Sequence, residues 1–139
     1  MTRVGFYVVQ AAGESQRLQV AARLTNKAFQ RGHRVYLNAN SEAQARELDT
    51  LLWSFRPDSF LPHGLNGETD SDQIAIGWGQ EPHGHDDLLI NLQLEIPPFF
   101  SRFQRVAEVV TQDPTSLSAL RQSWRFYKER GYQLEKHDL

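Results

Sequence analysis

Apolar residues occur along the chain in short bursts, and the spacing inside each burst decides what it forms. Val4 to Val9 (VGFYVV) is β-branched and aromatic and ends at Ala11-Ala12-Gly13, the pattern of a strand buried on both faces. Ser15 is placed to cap a helix running to about Arg31, whose apolar face is Leu18, Ala21, Ala22, Leu24, Ala28 and Phe29. Gly32 stands where a helix-ending glycine would. His33 to Ala39 (HRVYLNA) reads as a second strand, and Ser41 with Gln44 three residues on is a capping box for a second helix. Leu48, Leu51 and Leu52 give that helix its core stripe. This β-α-β-α opening predicts an α/β fold with a mainly parallel sheet flanked by helices.

The second helix runs into LDTLLWSFRPDSFLPHGLNGE, Leu48 to Glu68, where the helical period stops. Pro57 and Pro62 break helix and push Arg56 and Leu61 towards extended geometry. Trp53, Phe55, Phe60 and Leu61 thus crowd a segment with no regular element to hide Phe60 and Leu61. They either close the end of a core or form an apolar patch for another protein. Further on, Gly64 to Ser71 is polar and turn-like, Gln73 to Trp78 and Leu88 to Asn91 are short strands, and Gly79 to Asp87 is a loop. A short apolar helix, Phe99 to Phe103, follows Pro97-Pro98, and Val106 to Val110 reads as the last strand. Asp113-Pro114 opens a final helix that runs to Arg130 and stops at Gly131.

Composition narrows the function classes. The 139 residues, with 40% hydrophobic and 23% charged, suit a single domain over residues 1–139 with its own core. A net charge of −2 gives no global electrostatic case for nucleic-acid binding. Without cysteine there are no disulfides, no thiolate metal sites and no Cys nucleophile. No apolar run reaches the roughly 20 residues that span a bilayer, so a soluble cytoplasmic protein without a membrane partner is expected.

Catalytic chemistry has little to stand on. Gly13 follows the first strand, where nucleotide folds bind phosphate, but AAGESQRL lacks the further glycines and places Glu14 at the helix start. His83-Gly84-His85-Asp86-Asp87 holds zinc- or nickel-type ligands, yet in a polar loop its simpler reading is solvated side chains. His63 has no nucleophile near it in sequence and reads as a hydrogen-bonded loop histidine. No catalytic residue, metal or cofactor is assigned.

The final helix says more. LRQSWRFYKERG sets Arg121, Trp124, Arg125 and Lys128 at i, i+3, i+4 and i+7, one continuous face. Between Leu117 and Gly131, four bases stand against Glu129 alone, a local charge of +3 in a net acidic chain. Either this is a surface helix burying Leu117, Leu120 and Phe126, or it clamps an acidic, aromatic-bearing peptide. Arginines fork onto carboxylates while a ring forms a slot for an apolar side chain. Phosphates and bases would suit the same residues, but one helix on an acidic chain offers few phosphate contacts.

Taken together, GFYVV with RGHRVYLNA, LDTLLW with SFLPHGLNGE, and the tail RQSWRFYKERGY resemble the chi subunit of bacterial DNA polymerase III holoenzyme, in order and over nearly the whole chain. The resemblance implies a Rossmann-like fold without a working nucleotide loop, and a non-catalytic clamp-loader accessory subunit acting in replication and repair. It implies two partners: the psi subunit, and the acidic C-terminal tail of single-stranded-DNA-binding protein. A repair helicase is implied as a further partner on the psi surface. By position, Phe60 matches the family's psi-surface aromatic, with Trp53, Leu61, Pro62 and His63 as its motif neighbours. Arg121 and Arg125 match the basic positions that grip the acidic tail, Trp124 stands at a common aromatic, and Lys128 is a further contact. Thr111 to Ala119 matches only loosely and receives no assignment. Two readings stay beside the adaptor: a small α/β hydrolase or nucleotide-binding enzyme, and a direct binder of single-stranded nucleic acid.

Overall fold

The computed structural model describes residues 1–55, 61–65 and 73–139. Among these residues seven strands form one sheet: β1 Arg3–Val8, β2 Val35–Asn38, β3 His63–Leu65, β4 Ile74–Gly77, β5 Leu88–Asn91, β6 Arg105–Val110 and β7 Gln133–Asp138. Their order is β3-β4-β2-β5-β6-β1-β7, and every neighbouring pair is parallel. Helices α1 Glu14–Gln30, α2 Glu42–Ser54 and α3 Pro114–Glu129 cover it. The apolar runs VYLN and IAIG became β2 and β4, buried at all four positions, as a sheet covered on both faces demands.

The two sheet faces carry separate cores. Leu18, Ala21 and Ala22 of α1 and Leu48 and Leu52 of α2 pack on Leu37, Ile76 and Ile90. On the opposite face, Tyr127 of α3 and Phe99, Phe100 and Phe103 pack on Phe6, Tyr36 and Leu89. The short apolar helix expected over Phe99 to Phe103 is a 3-10 helix, Phe100–Arg102, whose flanking aromatic rings join this second core.

Helix ends follow local chemistry, with one correction. Ser41 accepts from the Gln44 backbone N–H, as expected, while the Gln44 side chain reaches one residue past the cap to the Asn40 N–H. Asp113 caps α3 through the N–H groups of Thr115 and Ser116, with Pro114 in the first turn. Ser15, expected to cap α1, instead lies inside it, and Gly13 takes the cap position with no side-chain bond. Glu14, in the first turn, places a negative charge at the positive helix end. Gly32 and Gly131 have φ of 85° and 81°, the left-handed exit that a Cβ would strain.

Two strands escaped the hydrophobic pattern, both at sheet edges. Gly64 and Leu65, expected in a turn, belong to β3, a three-residue strand against β4. After Gly131 the chain continues as β7, QLEKHD, parallel to β1. Four of those six residues can carry charge, which is how open edges resist pairing with other chains.

Candidate partner-binding surfaces

Tyr127 fixes the orientation of α3. It is fully buried, with its hydroxyl donating to Glu108 Oε2 at 2.8 Å. At 100° per residue, Arg121, Arg125 and Lys128 then point away from the sheet, and all three are exposed. Among the described residues no ion pair or hydrogen bond engages their side chains. Trp124 and Leu117, seven residues apart, are half-buried and line the margin between this basic stripe and the core. The Trp124 ring rests on Phe6 with centroids 5.2 Å apart. Arg130 is spent otherwise, its guanidinium 3.7 Å from the Phe126 ring centre. The structure thus keeps Arg121, Trp124, Arg125 and Lys128 together and withdraws Tyr127 from the surface. Of the three apolar residues expected in the core, Leu117, Leu120 and Phe126 are half-buried; the fully buried anchor is Tyr127.

The second surface lies at the other end of the sheet. Trp53, in the last turn of α2, is 51% exposed, and among the described residues no other aromatic is as open. Its ring lies 4.3 Å from that of His63 in β3. His63 is buried: its Nδ1 faces the Leu61 carbonyl, and its Nε2 lies 3.0 Å from the Asp49 carbonyl and 3.2 Å from Asp49 Oδ1. Leu61 is buried in the α1–α2 core, and Pro62 is half-buried between them. Trp53 and Pro62 therefore present surface, while Leu61 and His63 support it from beneath. Phe60 lies outside the described residues.

A buried polar ladder joins the strands, and sequence reading missed it. Asn38, Asn91 and Glu108 share one register level on β2, β5 and β6. Asn38 Nδ2 donates to Asn91 Oδ1 at 3.0 Å, and Asn91 Nδ2 to Glu108 Oε1 at 2.9 Å. Burial pushes the Glu108 carboxyl up to about 7, although bonds from Tyr127 and Asn91 and the charge of Arg17 pull it down. The only sequence clue is an acid set in VAEVV, a run otherwise buried on both faces.

At the C-terminal strand ends, where open α/β sheets usually hold ligands, the crevice is lined by Glu14, Glu95 and Asp113. Its one cation, Arg17, is buried and committed to Glu14 at 2.9 Å, the Leu92 carbonyl at 2.6 Å and the Val109 carbonyl at 3.2 Å. The histidine loop does not converge either: His85 is buried beside Tyr36, whereas Asp87 bonds His33 and the Arg34 N–H. Among the described residues no three His, Asp or Glu side chains are placed to hold a metal ion. No helix there is long and apolar enough to cross a membrane.

Comparison with known proteins gives one answer. Residues 1–135 match the family model described as DNA polymerase III chi subunit, HolC. The chain is similar to the DNA polymerase III subunit chi of Pseudomonas aeruginosa, with 51% identity covering 100% of this chain and 98% of that one. Its likeness to the Haemophilus influenzae subunit chi is 33% identity over 87% of this chain and 86% of the relative. The Escherichia coli subunit chi is 28% identical over 84% of this chain and 81% of its own length.

Proposed function

The chain belongs to the DNA polymerase III chi-subunit family, an accessory rather than the catalytic subunit of that polymerase, and from this premise we propose that it is an adaptor with two separate docking surfaces. The basic stripe of α3 takes the acidic C-terminal tail of single-stranded-DNA-binding protein. The Trp53 surface, together with Phe60, takes the psi subunit of the clamp loader. The observation that carries the reading is the trio Arg121, Arg125 and Lys128, exposed and without ion-pair partners among the described residues, beside the half-buried Trp124 and Leu117. Unpaired guanidinium groups suit carboxylates, and the Trp124–Leu117 margin offers a slot for an apolar side chain. Trp53 supports the second surface, since an exposed tryptophan is a common anchor of protein interfaces.

Fluorescence anisotropy of a labelled acidic peptide ending in Asp-Ile-Pro-Phe tests the proposal. Wild type is expected to bind in the micromolar range, and Arg121→Ala to weaken binding about tenfold, close to one charge-assisted contact. Phe60→Ala and Trp53→Ala leave peptide affinity unchanged and lower affinity for psi instead. A folded wild-type protein that ignores the peptide overturns the α3 assignment.

A further inference from the structure

Helices α1 and α2 lie on one face of the sheet and α3 on the other. Among the described residues, α1 leaves part of its own face uncovered towards β1 and β7. The result is a trough of about 490 Å³, the size of a small-ligand or peptide site. We propose that this trough binds a second acidic peptide segment bearing apolar side chains, a site separate from α3; the choice of ligand rests on the adaptor reading.

Charge is the first argument. Arg23 and Lys27 on α1 and Arg31 at its C-cap follow one another at i, i+4 and i+8, a row about 12 Å long. Arg105 faces them from the start of β6, across the trough. All four are exposed, and none has an ion-pair or hydrogen-bond partner for its side chain among the described residues. The two acidic side chains in the lining are already engaged. Asp87 accepts from the Arg34 N–H at 3.1 Å and lies 3.1 Å from His33 Nδ1. Glu135 pairs with Arg3 at 3.5 Å and lies 3.4 Å from His137 Nε2. Four side-chain cations without partners among the described residues thus outnumber the anions of the lining, a field that favours an acidic ligand.

The walls and lip argue for a peptide rather than a nucleic-acid strand. Val20, Leu24 and Ala28 form the α1 wall between the cations, and Tyr7 stacked on His137 at 4.6 Å forms the floor. Half-apolar walls suit a chain that alternates acid and hydrocarbon. A strand of phosphates would want a longer basic groove, on a chain whose net charge is not negative. The lip is the outer edge of β7, which pairs with no strand among the described residues and leaves that side of the trough open.

The test is a titration of the ¹⁵N-labelled full chain with Asp-Asp-Asp-Ile-Pro-Phe, followed amide by amide. Two sets of shifts are expected, one on α3 and one on Gly5, Tyr7, Glu135 and His137. The double variant Arg23→Glu/Arg31→Glu weakens the second set at least tenfold and spares the first. Arg105→Gln moves the second set in the same direction from the opposite wall, through a different element. Arg121→Ala does the reverse, weakening only the α3 set. Shifts confined to α3 overturn the trough site while the adaptor reading stands; shifts confined to the trough do the opposite. Indifference of the second set to both the α1 and the Arg105 changes overturns it as well. So does tighter binding of oligothymidylate than of peptide at the same amides.

Discussion

Glu108 shows how one side chain can tie the stability of this fold to pH. Its carboxyl is held near 7, against an ordinary 4.5, first because burial penalises the charge. The folded state therefore keeps a proton that the unfolded chain releases between about 4.5 and 7. The favourable contribution is full below 4.5 and is lost as pH rises through 7. The difference corresponds to about 3 kcal/mol between pH 4.5 and pH 8. Urea unfolding across that range should show wild type losing stability as pH rises, from this group alone. Glu108→Gln, an uncharged stand-in whose Oε1 can still accept from Asn91 while its Nε2 donates to the Tyr127 oxygen, should flatten that part of the profile. A Gln variant with the wild-type slope would assign the dependence to other groups. No hydrophobic pattern foretells this, because an acid in a β-branched run looks the same whether it faces water or Tyr127.

At the scale of the element, periodicity and the caps of α2 and α3 were legible, while the cap of α1 and the sheet edges were not. Asp113 and Pro114 announced the start of α3, and the structure has the aspartate accepting two backbone N–H groups. Asp113→Ala should cost about 1 kcal/mol and lower the melting temperature by roughly 4 °C. Circular dichroism melts check this; an unchanged melting temperature would mean that water caps the helix as well. The basic stripe of α3 was legible too, because helical spacing fixes which residues share a face. What spacing alone left open was the rotation of that face about the helix axis. The sheet settles it: the phenol bonds Glu108 on β6, and the stripe turns outward. Strands β3 and β7 stayed hidden for a different reason. An edge strand needs apolar residues on only part of its surface, and β7 keeps just Leu134 among six for the core. Its identity as a strand comes from pairing with β1, a partner 130 residues away in sequence.

Strand order sets the geometry of the whole molecule. The α2–β3 corner with Trp53 and the α3–β7 side with Arg121 occupy opposite ends of a seven-strand sheet and opposite faces of it. Six interstrand steps of about 4.8 Å separate the edge strands by roughly 29 Å. Surfaces so far apart, with no shared side chains, should bind independently, since energetic coupling generally fades beyond about 10 Å. They should also answer differently to salt. Exposed arginine–carboxylate contacts are screened as ionic strength rises, whereas burial of an apolar ring is not. Raising salt from 50 to 500 mM should therefore weaken acidic-peptide binding by an order of magnitude and barely change affinity for an apolar partner at Trp53. With that partner saturating, peptide affinity should stay within about twofold of its value for the free protein, since a coupling of 1.4 kcal/mol would already shift it tenfold. Titrations of the two ligands alone and together, at both salt concentrations, check both points. A large mutual effect would mean that the sheet transmits strain from β3 to β7. Its most direct route is the buried Asn38–Asn91–Glu108–Tyr127 ladder, the polar chain that links the middle strands to α3. In that case Glu108→Gln should change the coupling as well as the pH profile, and independence of the two ends would leave the ladder a purely structural tie.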